Sequence, residues 1–415
     1  MLDVKFIREN PELVQSDAAK KGYDISIKDL LKQDETRRKL KTEADEIRKN
    51  RNAINEEIKQ AKGKPDASLI EKTKQLKNEL QLIEEEFFQA QEKFDELIQI
   101  VPNILGSDVP LGGEEDSVEI KNWGTRKENA EDHLEYMTKR GWVDFERGAK
   151  VAGAKFYYLK GNGALLENAI YQFALNMLIK EGFEFMTVPH MVTERIAYGS
   201  GFAPKSSEES NEYFVNDNLM LIGTAEAPLT GYHADEIINE SELPLKYVGY
   251  SPCYRREAGA YGKHSRGLFR VHQFNKLEMY IFTTKEDSEK MHQEILSYEE
   301  KIWQALNIPY RVVNIAAGDL GAPAAKKYDI EYWSPVDNAY RELTSCSNCT
   351  DFQARNLNIR VRRKNGEVEI LHTLNGTAVS LARSIIAIVE NYQQSDGSLI
   401  VPEVLKPYLS ERDII

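Results

Sequence analysis

From Leu40 onward the apolar residues recur as Leu40, Ala44, Ile47, Ile54, Ile58 and Ala61, with Arg51 in the slot between Ile47 and Ile54. After Lys62-Gly63-Lys64-Pro65-Asp66 the pattern restarts at Leu69. It continues through Leu76, Leu80, Ile83, Phe87, Ala90, Phe94, Leu97 and Val101, with Thr73 in register. Steps of four and three alternate over several heptads in both runs. A globular helix needs a wider apolar face, so this narrow seam predicts a coiled coil. The Gly-Lys-Pro break turns the chain back, so the two helices pair antiparallel in a hairpin over about residues 30–100, its tip near 62–66. Each helix of roughly 33 residues would be about 50 Å long. Such an arm buries one stripe and otherwise stands in solvent.

Its charge is uneven. Residues 32–64 hold eleven Lys or Arg against seven Asp or Glu, whereas residues 66–100 hold four against nine. The basic residues Arg37-Arg38-Lys39, Lys41 and Arg48-Lys49-Asn50-Arg51 have two open readings. They are partners for the acidic second helix, or a phosphate-tracking face on a long lever. The whole chain carries a formal net charge of −13, which argues against non-specific nucleic-acid binding by the surface at large. Contact with a nucleic acid then needs a local basic patch of this kind.

After Val101-Pro102-Asn103 comes a Gly/Pro- and acid-rich linker, Gly106 to Asp116, and then mixed patterning to the end. Residues 1–101 read as one domain and 102–415 as another. Leu165 to Lys180 predicts a helix, Phe183 to Val188 a strand ended by Pro189, and Ala378 to Tyr392 a second helix. Short strands are expected at Leu219-Ile222, Lys246-Tyr250, Val271-Phe274, Met279-Phe282, Tyr310-Asn314, Ile330-Trp333 and Ile359-Arg363. Hairpins dominate, so the fold class is α+β: an antiparallel β-sheet flanked by helices.

The stretch Cys253 to Met279 carries the chemistry. It opens Cys253-Tyr254-Arg255-Arg256-Glu257-Ala258-Gly259 and closes Leu268-Phe269-Arg270-Val271-His272-Gln273-Phe274-Asn275-Lys276-Leu277-Glu278-Met279. The flanks read as strands and Gly259 to Gly267 as the loop between them. Such a hairpin puts cationic forks on phosphates, a phenyl ring on a base and carboxylates on amines, the equipment of an ATP site that activates a carboxylate. The competing reading is an amphipathic hairpin with surface charges, but here the polar residues concentrate on the strands. No GxxxxGK[ST] loop is present, so ATP would be held by side chains and sheet.

No run of 18 apolar residues suggests a membrane span, and the start is neither a signal nor a transit peptide. Three cysteines cannot all pair and fit a reducing compartment, so the expected location is cytoplasmic. Cys346 and Cys349 form a lone CxxC. Zinc usually needs four ligands, and Cys253 would be a third only if the fold brought it close.

These motifs together resemble the class II aminoacyl-tRNA synthetases, and among them the seryl-tRNA synthetases. The resemblance covers nearly the whole chain. The helical arm is similar to the one that grips the long variable arm of the tRNA in that family. The helix and strand ending at Pro189, about residues 163–189, look like the dimer element motif 1. Residues 253–279 look like motif 2, and Asn375-Gly376-Thr377-Ala378-Val379-Ser380-Leu381-Ala382-Arg383, opening about residues 375–392, like motif 3. Thr224-Ala225-Glu226 resembles the serine-binding loop, and Arg341-Glu342-Leu343-Thr344-Ser345-Cys346-Ser347-Asn348-Cys349 the segment with a metal-linked glutamate. The CxxC lies inside that segment, which favours packing over metal.

The resemblance implies a serine–tRNA ligase: serine and ATP give seryl-adenylate and pyrophosphate, then serine passes to the 3′ end of the tRNA. Arg255 would hold the α-phosphate and Arg383 the β/γ end, with Arg270 assisting; these three are the expected catalytic residues. Phe274 would stack on adenine, with Arg256, Glu257, Val271, Leu343 and Thr344 completing the ATP site and Glu342 and Ser345 holding Mg²⁺. Thr224, Ala225 and Glu226 would take the ammonium group of serine, and Glu278 and Thr377 its hydroxyl. Lys263, His264 and Arg266 would meet the acceptor end of the tRNA. The implied partners are L-serine, ATP, tRNA(Ser) and a second copy of the chain, with a selenocysteine tRNA left open.

Each role has a plainer alternative. Glu226 could cap a helix, Glu278 could be a buried ion-pair partner, and Thr377 could be the N-cap of the Ala378 helix. Departures from the family pattern are Arg256 in place of a small serine, Gly199-Ser200-Gly201-Phe202-Ala203 before Pro204-Lys205, and Ala378 in place of glycine. Threonyl and prolyl enzymes carry an anticodon-binding domain after motif 3, whereas 32 residues follow Arg383 here. A homologue that loads a carrier protein generally lacks the arm, and non-catalytic copies tend to lose the motif arginines. No segment resembles an editing domain.

Overall fold

The computed structural model describes residues 1–60, 66–202, 211–216, 218–257 and 267–415. The tip of the arm, Ala203-Pro204-Lys205, and the hairpin residues Lys263, His264 and Arg266 lie outside them. The chain divides into two compact units, Leu2–Val101 and Pro102–Ile415, Met1 belonging with the second.

The first unit has four helices: α1 Val4–Glu9, α2 Pro11–Lys20, α3 Ile27–Gln60 and α4 Ala67–Gln99. Asp66 caps α4, its carboxylate accepting from the Ser68 amide. The two long helices pair antiparallel: the Arg37 guanidinium lies 3.9 Å over the Phe94 ring, and Arg48 bridges to Glu84 at 2.7 Å. Leu40, Ala44, Ile47 and Ile54 are buried on α3, and Leu80, Ala90 and Phe94 on α4, along the heptad seam. Arg51 fills its slot half-buried, its apolar stem covering the seam.

The second unit is built on an eight-stranded sheet. Its strands are β1 Val118–Trp123, β2 Glu184–Thr187, β3 Leu245–Tyr254, β4 Gln273–Thr283, β5 Tyr310–Asn314, β6 Lys326–Ser334, β7 Ala339–Thr350 and β8 His372–Ser380. Their order is β1-β5-β6-β7-β8-β4-β3-β2, and β2 pairs parallel to β3 while the other neighbours run antiparallel. Helices α5 Asn162–Lys180, α7 Ser288–Ala305 and α8 Leu381–Tyr392 supply the large core, and a short helix α6 Glu226–Gly231 stands on the other side. The period of two sorts β4. Leu277, Met279 and Ile281 join that core, while Lys276, Glu278 and Tyr280 turn to the opposite face. The expected antiparallel sheet flanked by helices is therefore the architecture.

Two glycines mark close approaches. A Cβ on Gly376 would lie 2.3 Å from Ile295 of α7, and one on Gly249 would lie 3.0 Å from Leu229 of α6. Two local expectations need correction. Val271-Phe274 and Met279-Phe282 are not separate strands, because β4 runs unbroken from Gln273 to Thr283 between β3 and β8. The motif 3 helix begins at Leu381, not Ala378. Thr377 pairs with Glu278 inside β8, and Ser380 is the N-cap residue. Pairing with β4, which continues to Ser380, overrides the local helical preference there.

Candidate active site

Strands β3, β4, β7 and β8 bring the separated motifs to one face. A pocket there is bordered by Arg255, Glu257, Val271, Phe274, Glu342, Leu343, Thr344, Ser345, Thr377 and Arg383 of the expected set, together with Lys276. Arg255 is fixed at the end of β3: its amide donates to the His272 carbonyl at 3.0 Å, and its Nε to the Gly223 carbonyl at 3.3 Å. Its guanidinium carbon lies 5.3 Å from the centre of the Phe274 ring.

At the outer end Arg383 Nη1 meets Glu342 Oε1 at 2.9 Å. Glu342 keeps 47% of its side chain open, yet it lines a concave wall crowded by protein. Burial opposes its charge, but Arg383 and then Lys327 hold its carboxyl well below the usual carboxylate range. A bulge at Leu343 breaks the simple alternation between β6 and β7. Glu342 and Ser345 thereby both border the pocket. The hydroxyl of Thr344 turns away, donating to Glu299 of α7 at 3.1 Å.

Deeper in lie the residues expected to hold the amino acid. Thr224, Ala225, Glu226, Glu278 and Thr377 are all buried. Glu226 begins α6, and its side chain turns inward. Its Oε1 accepts from Gln353 Nε2 at 2.7 Å and from Asn375 Nδ2 at 3.0 Å, while its amide donates to Thr224 Oγ1 at 3.3 Å. Burial, then the charge of Glu278, pushes the Glu226 carboxyl up to about 7, against the pull of Lys276. Lys276 forms an ion pair with Glu278 and donates to Thr377 Oγ1 at 3.3 Å.

Three predicted residues stand apart or differently. Arg256 is exposed and does not border the pocket. Arg270 is turned to Glu257 at 2.7 Å and lines an adjoining groove with Lys155 and Lys160. Glu257 itself adopts φ +47°, an uncommon left-handed conformation for a glutamate. Cys253, Cys346 and Cys349 are buried thiols outside any disulfide, and Cys349 Sγ accepts from Asn375.

Lys276, Gln353 and Asn375 are site residues that sequence reasoning did not assign. A charged residue inside an apolar strand was a usable signal for Lys276. Asn375 opens motif 3 and was visible there. Gln353, on the short helix Phe352–Asn356, had no local signal.

Comparison with known proteins agrees with this geometry. Residues 1–105 match the seryl-tRNA synthetase N-terminal domain, and residues 210–392 match the tRNA synthetase class II core domain (G, H, P, S and T). A serine–tRNA ligase of Dictyoglomus thermophilum is 48% identical over 421 residues, covering 100% of this chain and 99% of the relative. The solved seryl-tRNA synthetase of Pyrococcus horikoshii, complexed with ATP, aligns with a TM-score of 0.89 at 40% identity, covering 100% and 99%. A cytoplasmic serine–tRNA ligase from Naegleria fowleri, in complex with AMP, aligns at 0.84 and 32% identity, covering 100% and 98%. With its motifs on one sheet face and its similarity running the full length, this chain belongs to the seryl-tRNA synthetase family of class II.

Proposed function

We propose that the pocket between Arg255 and Arg383, with Glu226 at its inner end, is where the chain makes seryl-adenylate. As a member of its family the chain activates L-serine with ATP, releases pyrophosphate and transfers serine to its tRNA. The observation that carries the site reading is one polar pocket bordered by Arg255, Arg383, Lys276 and Thr377, with Lys276 ion-paired to the buried Glu278 and close enough to act on the buried Glu226.

In-line attack of a carboxylate on a phosphate brings two anions together, so catalysis is positioning and charge neutralisation. Arg255 stands between Phe274 and Gly223 and holds the α-phosphate, its planar fork matching two oxygens. Adenine stacks on Phe274 with Glu257 and the Val271 backbone at its edge. Arg383 takes the β/γ end, and Arg270 assists by leaving Glu257. Glu342 and Ser345 offer hard oxygen donors on one wall and would hold Mg²⁺, which neutralises phosphate charge when it arrives with ATP. Arg256, exposed beside Asn211, has no role in this reading beyond the rim.

Glu226 Oε1 is occupied by Gln353 and Asn375, and its second oxygen, with no partner among the described residues, receives the serine ammonium with Thr224. Glu278 and Thr377 hold the serine hydroxyl, tied to each other by Lys276. A site that pairs a hydroxyl leaves polar groups unsatisfied with alanine, which should be rejected by roughly 10⁴-fold.

Residues 1–101 are the tRNA-gripping domain and residues 102–415 the catalytic domain in this reading. Lys41, Lys49 and Arg51 have no acidic partner among the described residues, which supports a phosphate-facing side on the arm. Leu165 and Ile179 on α5 and Phe185 on the edge strand β2 are exposed, which supports a homodimer through motif 1. No helix among the described residues is long and apolar enough to cross a membrane, and the three cysteines are outside any disulfide, consistent with cytoplasmic work. The deciding experiment is pyrophosphate exchange into ATP with a panel of amino acids, followed by charging of tRNA(Ser) and a selenocysteine tRNA. Exchange with alanine or glycine but not serine would overturn the assignment.

A further inference from the structure

Gln353 is fully buried, and its amide makes four hydrogen bonds. Its Nε2 donates to Glu226 Oε1 at 2.7 Å and to the Ser200 carbonyl at 2.9 Å. Its Oε1 accepts from the Tyr280 hydroxyl at 2.8 Å and from Thr373 Oγ1 at 2.7 Å. This saturates the amide. It also forces its orientation, since a flipped amide would set its oxygen against two acceptors, a carboxylate and a carbonyl. Four separate elements thus converge on the side chain carried by the Phe352–Asn356 helix: α6, the end of the Glu194–Gly199 helix, β4 and β8.

We infer that Gln353 is a positioning residue for serine recognition: its amide, locked by Tyr280 and Thr373, pins Glu226 Oε1 so that the other oxygen of that carboxylate faces the amine. The inference rests on the reading of Glu226 as the ammonium site. Gln353 touches neither ATP nor the phosphate cations, since it does not border the nucleotide pocket. A charge-assisted hydrogen bond is stronger than a neutral one, and without Gln353 that Glu226 oxygen keeps only the longer bond from Asn375 at 3.0 Å, which loosens the carboxylate's aim. Gln353→Met keeps the length and apolar bulk but removes both the donors and the acceptor. Tyr280→Phe removes one hydroxyl and leaves the amide half-anchored.

The measurement is pyrophosphate exchange by the full chain, with serine and ATP varied separately. Gln353→Met should raise the KM for serine by about ten- to a hundredfold, with the KM for ATP within about twofold of wild type. Tyr280→Phe should raise the KM for serine by about two- to fivefold on the same pattern. Gln353→Asn, too short to reach Glu226, should not rescue. An unchanged KM for serine in both variants overturns the inference, as does a parallel rise for ATP, which marks a merely structural role. Tyr280→Phe decides the matter if Gln353→Met does not fold. Glu226→Gln separates the two readings: if it leaves the KM for serine unchanged, the ammonium site itself is wrong. If it is severe while the Gln353 and Tyr280 variants are silent, only the positioning role falls.

Discussion

Arg383 Nη1 lies 2.9 Å from Glu342 Oε1 across the outer end of the pocket, joining the first turn of α8 to strand β7. Each partner is suited to a different part of a magnesium–ATP complex, the guanidinium to phosphate and the carboxylate to the ion. In the proposed reading, ATP binding would exchange this pair for a phosphate contact on Arg383 and an ion contact on Glu342.

Arg383→Lys keeps the charge but loses the fork. It should raise the KM for ATP and lower exchange on the order of 10²-fold, with the KM for serine nearly unchanged. Glu342→Gln should shift the magnesium titration of exchange to higher concentration, and chelation should abolish exchange in the wild type. A magnesium dependence identical in Glu342→Gln and wild type would remove Glu342 from the metal site.

Arg255→Ala should lower serine-dependent exchange by roughly 10³-fold, the scale for loss of one preorganised charge contact in a transition state. The guanidinium is half-buried and its anchor among the described residues is a single carbonyl, so the thermal midpoint should move little. Circular dichroism melts alongside exchange assays check both parts.

Glu226 gives a pH signature. Burial and the neighbouring Glu278 raise its carboxyl from the ordinary 4.5 to about 7. Lys276 on β4, Arg255 at the end of β3 and Gln353 act against that rise, and Tyr280 also faces it. A cationic amine binds the ionised form, so kcat/KM for serine should climb between about pH 6 and about pH 8 with its step near 7. Glu226→Gln should lose the step. Without serine the sign for stability is opposite: the folded state holds the proton more tightly, so this group's contribution is fully present below 4.5 and is lost as pH rises through about 7.

The arm is separable in register. Arg37 faces Gln91 and Phe94, and Arg48 faces Glu84, so residues 41–90 can be removed and the stumps joined by a short glycine bridge. Exchange should stay within about twofold of wild type while charging of tRNA(Ser) falls by more than about 10²-fold. Unchanged charging would refute the arm's role. In the intact chain, Lys41→Glu with Lys49→Glu should weaken charging more as salt is lowered, because an added carboxylate repels phosphate at longer range when screening is weak.

Where local pattern and final environment agree, sequence alone determined the outcome. The heptad seam is of this kind: α3 and α4 each bury a stripe against the other, so the period of the apolar residues carries the whole instruction. The strand Tyr310–Asn314 was equally legible, and so was the meeting of Arg255 and Arg383 at one pocket, whereas Arg256 and Arg270 stand outside it. Tertiary structure decided the rest. Thr377 reads as the start of a helix, but pairing with β4 holds it in a strand facing Glu278. Gln353 is one amide among many until four elements close on it, and Lys276 acquires meaning only when Glu278 and Thr377 lie beside it. Such sites are made of contacts between residues up to 153 positions apart, as Ser200 and Gln353 are, and no local period encodes them.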